Sequence, residues 1–385
     1  MFDTIIIGAG PVGSYIASKL AGMGHNILVL EKKSVAGQDI CCTGIISKEC
    51  RDLLPLNGNT SQKHVNSAMV LSPSGKRLQL LRGGEVAYIV DRSGLEKELT
   101  DYAHNRGAEF SFSTHVTDIE QHSDYISVKT NGNGNHHFIK AKSVILATGY
   151  GSELCKNFNF GKISNFIIGA QAEVETNTAH EVEVYLNKNI APGGFAWLVP
   201  TDNGKSLAGL TTFNEQEEHL NRLLYMLREQ GKISSENVSN NYGAIPLKPL
   251  PKTYSDRILV VGEAAGQVKP TTGGGIYFGT LCADIAANVL HEAILSNDYS
   301  AKKLSSYQRQ WRKKLSKELM VGYWGHWLLK RLNNTQIEYL FSIAHKKKIT
   351  EQITLSEDFS FDWHSKLLFQ FAHALLPFGN SQNEL

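Results

Sequence analysis

What the sequence lacks narrows its function before any motif is read. Lys and Arg total 39 against 37 Asp and Glu, so the chain has no net field to gather nucleic acid, and any basic surface must be local. No stretch reaches the roughly eighteen uninterrupted apolar residues that would span a bilayer, because the longest runs are broken by Gly, Lys or His. The chain can still rest on a membrane surface. Cysteine is scarce and odd in number: Cys41, Cys42, Cys50, Cys155 and Cys282 do not suggest a disulfide framework. The chain opens on a strand pattern rather than on a basic segment and an apolar signal core, so a reducing, cytoplasmic setting is expected. Adjacent Cys41 and Cys42 do not have metal-site spacing, and no Cys/His group completes one, so no metal is expected. Internal repeats and low-complexity tracts are also missing. What is present, 42% hydrophobic and 20% charged residues, is the balance of a folded chain long enough for two or three packed regions.

Along the chain, Thr4 to Gly8 is a short apolar run ending in glycine, Pro11 to Ala21 has helical periodicity, and Asn26 to Glu31 is apolar again. Further strands are expected at Ala68–Leu71, Lys76–Leu81 and Ala87–Val90, then an amphipathic helix from Asp91 to Asn105. Ser111 to Lys129 and Phe138 to Ala147 read mostly as strand around a polar turn at Asn131–His137. Ser164 to Ala244 alternates apolar and polar residues with one helix near Glu215–Glu229, the pattern of a mostly antiparallel sheet. Ile258–Val261 is a fully apolar strand, and a long apolar helix follows over Gly275–His291. Beyond Asn297 the pattern is helical, with Trp311, Trp324 and Trp327 set among lysines and arginines. The expected fold is α/β: a Rossmann-type domain from residues 1–65, 88–160 and 250–297, an inserted, mostly antiparallel β-sheet domain from 66–87 and 161–249, and a C-terminal helical region over 298–385.

The sharpest motif is Gly8-Ala9-Gly10-Pro11-Val12-Gly13 at a strand-to-helix junction, with Glu31 closing the next strand. Gly8 permits a tight turn, Gly10 lets a pyrophosphate approach the helix N-terminus, Gly13 allows helix to pack on strand, and Glu31 suits a ribose diol. A second constellation distinguishes FAD from a nicotinamide cofactor. Gly262-Glu263-Ala264-Ala265-Gly266 follows an apolar strand, and Gly273-Gly274-Gly275-Ile276 opens the long helix. Glu263 can accept from a ribityl hydroxyl, while glycine N–H groups and the helix dipole favour the charge that reduced flavin carries on its N1 and O2 side. A plain glycine turn would show the same composition.

These residues resemble the geranylgeranyl reductases, a branch of the flavoproteins that share the p-hydroxybenzoate hydroxylase fold. The resemblance covers residues 1 to about 300. It rests on the fingerprint, Val90-Asp91-Arg92, Ala147-Thr148-Gly149, the Gly262–Gly266 motif, Cys42-Thr43-Gly44-Ile45, and Pro192-Gly193-Gly194-Phe195-Ala196-Trp197-Leu198-Val199-Pro200. Phe195 stands where the family usually has Tyr, Val199 where it has Phe, and Glu263 where Asp is more frequent. The resemblance implies FAD contacts from Lys32, Cys41, Cys42, Gly44, Arg92, Ala147, Thr148 and Gly149 besides the two glycine motifs. It implies that Phe195, Trp197 and Pro200 line the substrate cavity, and that reduced flavin saturates isolated double bonds of a prenyl lipid or prenyl diphosphate. On residue type alone, such an aromatic segment is more often core or sheet packing than a substrate wall, the cysteines fit two small buried hydrophobes, and histidines such as His180 fit the surface or a satisfied core.

Only one glycine fingerprint is visible, so electrons are expected from transiently docked NAD(P)H or from a protein carrier such as ferredoxin. An unconjugated alkene needs an acid beside the flavin and exclusion of water, and Cys42 and Tyr185 are the candidates for that acid or its relay. The Trp-rich basic tail is expected either to meet a lipid surface or to form a solvated cap. Two other readings stay open at this point: a flavin-dependent monooxygenase or halogenase of the same fold, and a non-catalytic FAD- or lipid-binding protein.

Overall fold

The computed structural model describes residues 1–56, 58, 60, 62–132, 135–176, 179–202, 204–234, 240–351, 360–366, 368 and 369, without the side chains of 62, 132, 135 and 136. Parts of the sequence reading therefore lie outside the described residues: 57, 59, 61, 133–134, 177–178, 203, 235–239, and, in the C-terminal region, 352–359, 367 and 370–385.

The first sheet is built on the strand Phe2–Ile7, which pairs in parallel with Ile27–Leu30 on one side and Asn135–Leu146 on the other. Glu109–Ser111 and Ile258–Val260 extend it in parallel, and Tyr254–Ser255 closes one edge antiparallel. Such a sheet is covered on both faces, which is why its strands read as unbroken apolar runs. On one face the helices Pro11–Gly22, Arg92–Asn105 and Ile276–Leu295 bury Ile6, Ile16, Leu20, Leu95 and Phe278. On the other, Val116, Ile119, Ile126 and Val128 from an antiparallel pair, with Phe160, cover Ile5 and Ile7. Ile276–Leu295 is long and apolar enough by composition to cross a membrane, but most of it is buried in this core.

The second sheet has seven strands in the order Asn240–Pro246, Phe166–Glu175, Lys205–Thr212, Ala196–Pro200, Val182–Tyr185, Ser67–Leu71 and Arg77–Leu81. All its pairs are antiparallel except Val182–Tyr185 with Ser67–Leu71. Helix Gln216–Glu229 covers one face, placing Leu220, Leu223, Leu224 and Leu227 on Ala170, Ala172, Leu198 and Leu210. That spacing is one helical stripe. Because strand neighbours point to opposite faces, Gln171, Gly209 and Trp197, paired across three strands, turn the other way. Between the sheets lies a small one the sequence reading did not separate: Ile45–Ser47, Ala87–Val90 and Gln62–Val65.

The C-terminal residues are less of a cap than expected. Helix Ala301–Arg331 buries Tyr307 and Trp311 in the core of the first sheet, and the Trp311 indole N–H donates to Thr253 Oγ1 at 3.0 Å. Farther on, Asp362 reaches Lys269 Nζ at 2.5 Å, with side-chain exposures of 2% and 6%. Removing one member of so buried a pair costs about 3–5 kcal/mol, whereas replacing both by apolar residues is often neutral. Asp362→Asn is expected to lower stability by about that amount in urea titration, and Lys269→Met/Asp362→Leu to recover most of it. Equal stability of all three proteins would show that the pair is solvated in solution.

Candidate functional site

A cavity of 540 Å³ runs from the start of helix Pro11–Gly22 to the face of the second sheet that helix Gln216–Glu229 does not cover. Its mouth is shaped by missing side chains. A Cβ at Gly8 (φ +107°) would lie 2.4 Å from Ala147 O, and one at Gly13 would lie 1.9 Å from Gly8 O, so both glycines are required for helix and strand to touch. At Gly10 a Cβ would meet no protein atom within 4 Å. The open space lies in front of the first helical N–H groups, where an anion is favoured. Glu31 stands beside it, accepting from Ala9 N–H at 2.8 Å and Lys33 N–H at 2.9 Å. A carboxylate has about four acceptor positions, so capacity remains for a diol.

Across the cavity, Arg92 donates from Nη2 to Glu96 Oε1 at 2.7 Å, while Glu96 Oε2 takes the Gly37 N–H at 3.1 Å. The remaining Arg92 nitrogens, Nε and Nη1, are buried without a partner. Buried guanidinium N–H groups left unpaired are costly, so an acceptor from a bound group fits here. Gly44 (φ +73°) makes room for the arginine, since a Cβ there would sit 2.3 Å from Val90 O and 3.3 Å from Arg92 Cγ. Cys41 and Cys42 border the same space. The Cys41 thiol points to Asn241 O at 3.5 Å, and burial pushes it up to about 12, so it keeps its proton at neutral pH. Cys42 Sγ accepts from Gly44 N–H at 3.5 Å, and its carbonyl takes the Gln171 amide at 3.3 Å.

The inner end joins the two sheets. Glu263 lines it, its carboxyl held above the usual range by burial, against the opposing Tyr150 backbone hydrogen bond and the Arg92 charge. Gly273, Gly274 and Gly275 line it with Ile276, at the start of the long helix. A Cβ on Gly274 would approach Lys269 Cε to 2.7 Å, and that side chain is fixed by Asp362. From the second sheet come Gln171 and Trp197, whose Oε1 and Nε1 are buried without partners. The indole fits over Gly209, where a Cβ would lie 2.5 Å from its ring. FAD suits this lining: open space at a helix N-terminus, spare acceptors on Glu31, free donors on Arg92, and a glycine run at a second helix start.

Of the sequence candidates, Gly8, Gly10, Pro11, Val12, Glu31, Lys32, Cys41, Cys42, Arg92, Ala147, Thr148, Gly149, Glu263, Gly273–Gly275, Ile276 and Trp197 border one cavity. Gly13 and Gly44 stand behind it for the packing reasons above. Gly262 and Gly266 are turn residues: Gly262 N–H donates to Gln267 Oε1 at 2.7 Å, and a Cβ on Gly266 would lie 2.4 Å from Lys248 O. Phe195 touches Trp197, with ring centroids 5.8 Å apart, but does not border the cavity. Pro200 is buried and also lies outside it. The structure does not bring Tyr185 to the site. That side chain lies on the helix-covered face, donates to Glu183 and accepts from Lys232 Nζ at 2.9 Å; burial first, then Glu183, raises its pKa. His180 is exposed. Gln171, Lys269 and Asp362 were missed; Asp362 is ninety-three positions from its partner, a distance no local pattern spans.

FAD, not FMN, is expected on extraction of the cofactor from purified protein, because the Gly10 and Glu31 end is shaped for the adenosine half. Gly274→Val is expected to weaken FAD tenfold or more, about 1.4 kcal/mol, by driving against the tethered Lys269. Flavin content and redox potential like those of the unmodified protein would show the run to be only a turn.

The chain matches the lycopene cyclase protein family model over residues 3–343. It is 30% identical over 352 residues to the digeranylgeranylglycerophospholipid reductase of Methanocaldococcus jannaschii, covering 88% of this chain and 90% of that one. The enzyme of the same name from Methanosarcina acetivorans is 27% identical, covering 81% of each. Among solved structures, a geranylgeranyl bacteriochlorophyll reductase-like protein from Thermoplasma acidophilum superposes with a TM-score of 0.85 at 22% identity, covering 96% of this chain and 95% of that one. A point mutant of the halogenase PltM, solved in complex with FAD, shares the fold at a TM-score of 0.69 and 15% identity, over 97% of this chain and 85% of its own. On the family model and the sequence relatives together, the chain belongs to the FAD-dependent geranylgeranyl reductase family.

Proposed function

We propose that this chain saturates isolated carbon–carbon double bonds in the prenyl chains of a lipid of the digeranylgeranylglycerophospholipid type. The observation that carries the reading is the shared cavity: the wall formed by Gln171 and Trp197 faces the same space as the two glycine motifs. When bound, reduced FAD supplies the hydride. The protein supplies the rest. Gly273–Gly275 bring backbone and a helix start to the cavity, where negative charge on a cofactor is favoured. Trp197 gives the alkene an apolar wall, and the enclosure it shares with Ile45 and Ile245 keeps water from the reacting carbons. Cys42 and the protonated Cys41 thiol are the groups at hand to deliver a proton to the other alkene carbon.

The electron donor is proposed to be NAD(P)H in transient contact or a ferredoxin-like carrier, in line with a single fingerprint. A peripheral lipid contact is proposed as well, on the exposed face of helix Ala301–Arg331. There Met320, Trp324, Trp327 and Leu328 lie between Lys313, Lys317 and Arg331. Aromatic and basic side chains so arranged suit a headgroup boundary.

Anaerobic incubation of the photoreduced protein with prenyl lipids is expected to give products heavier by two hydrogens per bond. Rapid oxygen consumption by the reduced flavin, with no such gain, would favour the halogenase or monooxygenase reading, and complete retention of substrate a binding protein. Trp197→Phe separates wall from core. Misplacing the alkene by near an ångström can cost a hundredfold or so in rate, whereas loss of a core tryptophan costs about 3–5 kcal/mol of stability. A selective fall in turnover at nearly constant FAD content and melting temperature is expected; normal turnover with lowered stability would assign Trp197 to packing.

A further inference from the structure

Away from the cavity, three basic side chains gather with no carboxylate set against Lys188 or His326 among the described residues. Lys188 sits in the turn between Tyr185 and Phe195, its backbone N–H tied to Asn334 Oδ1 at 2.9 Å. Its Nζ is buried without a hydrogen-bond partner. His326, 6% exposed on helix Ala301–Arg331, has a buried Nε2 that is likewise unpartnered. Lys330, one turn on, lies with Nζ 3.4 Å from the centroid of Phe213, whose ring stands 5.9 Å from the His326 ring. A Cβ on Gly193 would lie 2.7 Å from Phe213, so the glycine lets the turn approach the ring. Burial lowers Lys188 to about 8, and burial followed by the Lys188 and Lys330 charges lowers His326 to about 4. No carboxylate enters either balance.

A fold gains nothing from two orphaned, buried basic nitrogens beside a third cation; their arrangement is that of a site for an anion. Its position says which anion. Phe195 is hydrogen-bonded on both sides to Thr211, its carbonyl accepting Thr211 N–H at 2.9 Å and its N–H donating to Thr211 Oγ1 at 3.3 Å. Phe213 is two residues beyond Thr211, and Phe195 rests on Trp197, the cavity wall. Gly322, one turn before His326, packs on Pro270 and Thr271 of the loop that leads to the glycine run. Phe195, Thr211 and Phe213 thus lead from the cavity wall at Trp197 to this basic corner, which lies outside the lining of the cavity itself.

We infer that Lys188, His326 and Lys330 form a pocket for the phosphate end of the prenyl substrate, which fixes how far the chain enters the cavity. The inference rests on the proposed prenyl substrate. Phosphate oxygens would accept from both orphaned nitrogens, His326 taking its proton only in their presence.

The test uses full-length, FAD-loaded protein and calorimetric titration with geranylgeranyl diphosphate, geranylgeraniol, inorganic pyrophosphate and NADP⁺. The diphosphate is expected to bind about tenfold or more tighter than the alcohol; Lys188→Met and Lys330→Met should abolish most of that preference while changing alcohol binding less than about twofold. Lys188→Arg should keep it. Free Lys188→Met should melt no lower than the unmodified protein, since it removes an unpaired buried charge; a purely structural lysine would behave oppositely. The exposed Lys330 gives a second reading should Lys188→Met fail to fold. An unchanged preference in the variants overturns the pocket. So does pyrophosphate binding that fails to compete with the diphosphate, or a lysine dependence confined to NADP⁺. Binding is read apart from turnover: equal reduction of both prenyl substrates by every variant sinks the pocket and spares the reductase, while lysine-dependent binding with no reduction does the reverse.

Discussion

Helix Pro11–Gly22 meets the strand before it with no room for a side chain at position 13, and the rest of the site depends on that contact. With Gly13 pressed on Gly8, and Gly8 on Ala147, the helix start is held at the carboxyl ends of two neighbouring parallel strands. Its first N–H groups then open toward solvent rather than toward protein. Glu31, at the end of the next strand, comes within reach of Ala9 N–H, and the segment from Lys32 to Gly44 is drawn across to Arg92. A methyl group at residue 13 would displace all of these together.

Buried polar groups are paired on one face of the second sheet and left open where the cavity meets the other. Tyr185, Glu183 and Lys232 form a closed set in which each group meets another, and their strand face is covered by a helix. Arg92, Gln171 and Trp197 instead keep buried polar atoms without partners, and all three border the cavity. Folding is penalised for each such atom by about 1–3 kcal/mol, so their convergence is best explained by groups that a ligand completes. Lys188 and His326 repeat the pattern at the far side of Phe195.

The local part of this arrangement was legible in the sequence. The glycine fingerprint, the apolar strands before it and before Gly262, and the helical stripe at Leu220–Leu227 each follow from spacing alone. Strand faces were not legible, because alternation separates two faces without saying which is covered. Tyr185 and Trp197 show the consequence: Trp197 pairs with Val184, Tyr185 with Ala196, so they point to opposite sides. FAD was read from the two glycine constellations together, and within the second of them Gly262 and Gly266 shape a turn while Glu263 and Gly273–Gly275 border the cavity. The ion pair of Lys269 and Asp362 and the small sheet around Ala87–Val90 join distant segments, and only the assembled fold reveals them.

Helix Ala301–Arg331 shows how one element can serve several surfaces without a change in secondary structure. Its first half carries Tyr307 and Trp311 into the first sheet's core, where Tyr307 O–H donates to Val260 O at 3.1 Å. Halfway along, Gly322 lets it approach the loop ahead of the glycine run, and Glu318 accepts the N–H groups of His364 and Ser365, fixing the segment that delivers Asp362. Its last turns put His326 toward the second sheet and Trp324 and Trp327 toward solvent. At 1.5 Å per residue these positions lie along one rigid rod about 45 Å long. The rod that carries Tyr307 and Trp311 into the core thus also meets the loop ahead of the glycine run and the edge of the second sheet.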